Sequence, residues 1–133
     1  MAPSVSWLSL PCFLRHLAAR DGWDLAGTPV ERVHLMVQCM EAWIVADPVA
    51  LEGFSMQGFR KRVLPARPNL EEEPKADLYD KLDRATKDTR KGSYGKIRHA
   101  SRLLARIDPS RVIARCPRFA TFTRWLDQTI REA

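Results

Sequence analysis

Apolar residues along this chain recur mostly at intervals of three and four, the period of a helix buried on one face. From Pro11, residues Phe13, Leu14, Leu17 and Ala18 keep that spacing and Gly22 supplies a stop, which predicts a short helix and then a loop through Pro29. Val33, Leu35 and Val37 alternate instead with His34, Met36 and Gln38. Two β-branched residues in so short an alternating run predict one clear strand over about 32–38. Helix formers resume from Met40 to Ala46, and Asp47-Pro48 has the form of an N-cap followed by proline at the first helical position, restarting a helix over Pro48 to Phe54 that Gly53 and Gly58 close. Arg60 to Pro68 follows neither period and is basic and proline-punctuated, as in an exposed loop. Leu78, Leu82 and Ala85 share one face of a helix from about Pro74 to Lys87, with Glu71, Glu72 and Glu73 placed where the helix dipole favours negative charge. Ile97, Ala100, Leu103, Leu104 and Ile107 form the stripe of another helix. Asp108-Pro109 caps a short turn, and Phe119, Phe122, Trp125, Leu126 and Ile130 mark a last helix over Arg118 to Arg131.

The pattern is α/β but predominantly helical: one strand among four to six helices, without internal repeat or low-complexity tract. A solitary strand leaves its backbone donors and acceptors without neighbours. The reading therefore predicts pairing with a second copy of the chain or with a separately made N-terminal half. The alternative is that Ser4 to Leu10 forms a replacement edge strand and seals the sheet locally.

With 133 residues the length suits a single domain over 1–133, in which 1–10 is an atypical leader. Lys and Arg outnumber Asp and Glu by 22 to 16, a formal charge of +6 that favours acidic partners such as nucleic acid. Cys12, Cys39 and Cys116 are odd in number and far apart, which fits neither a disulfide framework nor a zinc knuckle and predicts a reducing cytoplasm. The N-terminal stretch lacks a basic leader region, is broken by Pro3 and Pro11, and meets Arg15 before it reaches membrane-spanning length. No signal peptide, transmembrane helix or membrane partner is expected.

Two constellations carry the candidate chemistry. Glu41 and Asp47 follow the apolar run, and as hard oxygen donors they are the candidate catalytic and metal-binding acids, an incomplete set by themselves. Six residues apart, they would miss a common face of one continuous helix by about 120°, so joint work requires a break between them. The simpler roles are Asp47 as a cap for the helix from Pro48 and Glu41 as a first-turn acid facing the helix dipole. The second constellation is Lys91, Tyr94, Lys96, Arg98 and His99, candidates for phosphate or nucleic-acid binding. Between Arg84 and Arg106 stand eight basic residues against one acid, Asp88. Gly92 and Gly95 let the backbone turn amides toward an anion, Tyr94 offers a base-stacking ring, and His99 has a titration range suited to proton transfer. A solvated basic helix face is the alternative, and Trp43 and Trp125 sit at helical spacing as core residues do.

These segments, in this order, resemble the prokaryotic domain of unknown function family 4276, regarded as Toprim-like. The matching blocks are Arg20-Asp21-Gly22-Trp23, His34 to Trp43, Leu64-Pro65-Ala66-Arg67-Pro68-Asn69, Pro74-Lys75-Ala76-Asp77, Lys91-Gly92-Ser93-Tyr94 and Ile107-Asp108-Pro109. The resemblance is to the family's C-terminal half, because neither a strand ending in Glu-Gly nor an Asp-x-Asp or Asp-x-Glu pair is present. It implies the C-terminal part of a Toprim-like, Mg2+-dependent, nuclease-like module in prokaryotic defence beside an ATPase partner, inactive alone. The competing expectation is a non-catalytic module for nucleic-acid binding or protein assembly.

Overall fold

The computed structural model describes residues 19–23, 27–29 and 32–133, and the chain divides into two compact units, Met1–His34 and Leu35–Ala133. In the first unit, residues 19–21 are helical, Gly22 follows at φ +71°, and Trp23 is exposed. The helix expected over 11–18 and the leader over 1–10, with its replacement strand, lie outside the described residues.

The second unit is built from helices α1 (Glu41–Val45), α2 (Pro48–Ser55), α3 (Lys75–Thr86), α4 (Lys96–Leu104), α5 (Pro109–Arg115) and α6 (Pro117–Glu132). Two 3-10 turns, Lys61–Val63 and Leu70–Glu72, lie between α2 and α3. The predominantly helical architecture read from the periodicity is thus observed.

The strand expected over 32–38 is not. Among the described residues there is no strand, and 33–36 run without regular secondary structure. Gln38 takes φ +65° while the Cys39 N–H donates to Val37 O at 3.1 Å, a tight turn that ends the run. Alternation and β-branching signal only a fit to a pleated, half-buried surface, and with no neighbouring strand to take up the ladder the backbone turns into helix instead.

The core forms around α1, which packs against α2, α3 and α4. Ala42, Ile44 and Val45 are fully buried, the mark of a short helix enclosed on nearly every side. Leu51, Leu70, Leu78, Leu82 and Leu103 close around it, each contributing about 1.5–3 kcal/mol by burial. Gly53 does not end α2, which runs on to Ser55 and stops at Met56, a non-glycine residue at φ +63°. The stripe expected on α4 shifts: His99, Ala100 and Leu103 face the core, while Ile97 in the first turn is 96% exposed. The connection after Arg60 is pinned rather than loose, since Arg115 donates to Pro65 O at 2.9 Å and Arg67 O at 2.7 Å. Phe119 anchors α6 edge-on to Trp43 at 4.9 Å between ring centres, while Leu126 and Ile130 remain exposed. No helix of the described residues is long and apolar enough to cross a membrane.

Candidate nucleic-acid interface

Glu41 opens α1 and has no solvent exposure. Its Oε2 accepts from the Tyr94 hydroxyl at 2.8 Å, and the Lys96 ammonium stands 4.0 Å from the same oxygen. Oε1 is buried without a hydrogen-bond partner. A turn delivers Tyr94 across 53 positions of sequence, and the start of α4 brings Lys96. The Tyr94 N–H donates to Thr86 Oγ1 at 2.8 Å, and that hydroxyl donates to Leu82 O at 2.8 Å, so Thr86 fixes the turn onto the end of α3. Burial, then the Glu41 carboxylate, raises the Tyr94 pKa far above the ordinary phenol value. The Lys96 pKa is raised by the Tyr79 hydroxyl, to which it donates at 3.3 Å, and by Glu41. Cys39 lies close by, its thiol pushed up mainly by burial.

Asp47 belongs to a different arrangement. The chain breaks between α1 and α2 as joint action with Glu41 would require, but both Asp47 oxygens are engaged by backbone donors. Oδ1 accepts from the Ala50 N–H at 3.1 Å, capping α2, and Oδ2 accepts from the Asp108 N–H at 2.9 Å. Arg111 Nε stands 3.6 Å from Oδ1. Asp47 is therefore a clasp between the starts of α2 and α5.

Magnesium, implied by the resemblance, needs several oxygen ligands converging on one point. Among the described residues no three His, Cys, Asp or Glu side chains come together to hold a metal ion. Glu41 offers one open oxygen beside an ammonium, and Asp47 is occupied by two amides. These residues do not fit the ion.

The basic constellation divides by task. Lys91 donates to Phe54 O at 2.8 Å and lies over the Phe54 ring at 4.6 Å, so it holds the C-terminal end of α2. His99 is buried, and its Nδ1 accepts from the Gly95 N–H at 3.0 Å while the His99 backbone N–H donates to Gly95 O at 2.8 Å. The imidazole thus closes the first turn of α4, and its pKa is lowered by burial and then by Arg98, Arg102 and Lys91. Arg98 reaches Ser93 O at 3.3 Å and remains exposed. Arg98 and Arg102 stand one turn apart on α4, with Lys96 before them and Arg106 after, all exposed. Asp88, the acid of this stretch, pairs with Arg60. Among the described residues no carboxylate pairs with Arg98, Arg102 or Arg106.

Periodicity gave no warning of Glu73. It is buried and held by Arg67 Nε at 2.9 Å and Lys81 Nζ at 2.7 Å, whereas the sequence places Glu71 to Glu73 only where a helix dipole favours negative charge. Glu71 serves elsewhere, accepting from the Arg118 N–H at 2.7 Å. Thr86, the hinge of the Tyr94 turn, was equally silent in sequence.

The second unit is thus a small helical body that shows the arginines of α4 to solvent and buries the Glu41 carboxylate, which the partly buried Tyr94 and the exposed Lys96 meet. The chain belongs to the family described as Domain of unknown function (DUF4276), whose model matches residues 11–127. A match over most of the chain does not bear out the restriction to a C-terminal half. Neither a curated protein nor a solved structure matches the chain.

Proposed function

We propose that this chain is a nucleic-acid-binding module that grips the phosphate backbone through the α4 ridge of Arg98 and Arg102, with Arg106 just beyond the end of the helix. The observation that carries the reading is the exposure of Arg98 and Arg102 on one ridge without a carboxylate partner among the described residues. Unpaired surface cations of one sign condense phosphate and release its counterions. Glu41, Tyr94 and Lys96 brace the base of that ridge against the core. The nuclease-like, Toprim-like chemistry and the defence setting beside an ATPase belong to this proposal at the level of a larger assembly, in which metal-holding carboxylates come from outside the residues described.

Binding of fluorescent single- and double-stranded DNA, measured by anisotropy across a salt series, tests the reading. Affinity should fall steeply with salt, and Arg98→Ala with Arg102→Ala should lower the slope of log K against log salt by about two. Unchanged affinity and slope in the double variant would sink it. A protein-assembly role is the second reading, favoured by Ile97 at 96%, Met56 at 68% and Ile130 at 65% exposure. Light scattering that finds a concentration-dependent dimer, together with no DNA affinity, would put it first.

A further inference from the structure

At the end of α2 the surface opens into a cavity of about 260 Å³ lined by Ser55, Met56, Gln57, Arg90 and Lys91. A much smaller cavity of about 10 Å³, the size of one water site, adjoins it through the shared Ser55 and Lys91 and reaches Tyr94 and His99. The larger cavity is lined by two cations, a hydroxyl, an amide and a thioether, and by no acid. Among the described residues neither Arg90 nor Lys91 is paired with a carboxylate.

The chain holds this cavity in shape by unusual means. Gly58, at φ +94°, lies so close to the next loop that a Cβ there would sit 2.5 Å from Asp88 O. That approach presses the 56–58 turn onto the loop carrying Arg90 and Lys91. Met56 takes φ +63° and ψ −140°, a backbone region that side chains other than glycine rarely adopt, and its N–H still donates to Glu52 O at 2.7 Å. Strained, over-determined backbone of this kind concentrates at ligand sites. Lys91 is fixed by Phe54 O and the Phe54 ring, which occupies one of its three donors and leaves the others for a ligand. Arg90 is exposed, with a planar fork suited to phosphate oxygens.

We propose that this cavity binds a phosphate monoester, as at the 5′ end of a nucleic-acid strand. The inference rests on the phosphate-binding reading above and adds a chemical distinction to it. A monoester carries about −1.5 to −2 charges at neutral pH, where a backbone diester carries one, so two cations in the lining favour the terminal group. Small-molecule pockets run from about 300 to 1,000 Å³, and a cavity just below that range suits a phosphate with its sugar. Diesters inside a strand stay on the open α4 ridge.

Short single strands of one sequence, ending in 5′-phosphate or in 5′-hydroxyl, are compared for affinity with the full chain at constant salt. The phosphorylated strand should bind about tenfold more tightly, the worth of a charge-assisted contact. Arg90→Ala, and independently Gln57→Glu, which sets a carboxylate on the wall, should bring that ratio close to one. Millimolar inorganic phosphate at fixed ionic strength should erase the ratio too, as a competing dianion. Equal affinity for the two strands overturns the cavity as a monoester site and leaves the ridge standing. A ratio that survives both variants overturns it as well, and loss of binding by both strands removes ridge and cavity together.

Discussion

Replacing Tyr94 by Phe tests how the buried Glu41 carboxylate is held. The native group keeps one oxygen on the Tyr94 hydroxyl at 2.8 Å and the other without a partner. Removing that hydroxyl leaves both oxygens of a fully buried carboxylate unbonded, with only Lys96 nearby at 4.0 Å and its own side chain 58% exposed. A hydrogen bond to a charged group contributes about 1.5–3 kcal/mol. The Lys96 attraction is screened by solvent and offsets little of its loss. The expected cost of Tyr94→Phe is therefore about 2–3 kcal/mol, read as a shift in urea midpoint at unchanged m value by circular dichroism. A second substitution should rescue the loss. Adding Glu41→Met replaces the orphaned carboxylate by an apolar chain of similar length, and removing both partners is close to neutral where removing one is not. Tyr94→Phe with Glu41→Met should recover at least half of the lost stability. A cost below about 0.5 kcal/mol for the single variant, or a double variant less stable than Tyr94→Phe, would refute the account of this pair.

Asp47→Ala strips acceptors from the Ala50 and Asp108 N–H groups at once and should cost about 2–4 kcal/mol in the same assay, against about 1 kcal/mol for the single cap lost in Asp108→Ala. Gly58→Ala should destabilise by about 2 kcal/mol or more, because the new methyl meets Asp88 O and φ is positive; a neutral result in thermal melting would contradict the close approach. The His99 pKa is lowered on folding, so the unfolded chain takes up a proton first; its share of stability is present above the unfolded value near 6.5 and is lost as pH falls through the folded one. Melting temperature should accordingly decline in mildly acidic buffer, and His99→Gln should flatten that part of the profile. The Tyr94 pKa is shifted the opposite way, so its contribution is full below the ordinary phenol value near 10 and is lost as pH rises toward the folded one. Ultraviolet titration should show a late-ionising phenol that Tyr94→Phe removes.

Local chemistry alone fixed much of this protein. Asp47-Pro48 and Asp108-Pro109 announce helix starts because a carboxylate accepting a backbone N–H, followed by a ring already at helical φ, is complete within four residues. Leu78, Leu82 and Ala85 declare the buried side of α3 because a 3.6-residue period is a property of one segment. The basic excess between Arg84 and Arg106 could also be read directly. Tertiary structure decided the rest. Whether Val33 to Gln38 became a strand depended on a neighbour that no residue in the run can supply. Glu41 and Asp47 look alike as acids six positions apart, yet one meets a phenol 53 residues on and the other an amide 61 residues on. Glu73 reads as one more acid ahead of a helix until Arg67 and Lys81 converge on it. Caps and periods are written within one or two turns of chain, whereas burial of a charge is set by whatever the fold brings to it from a distance.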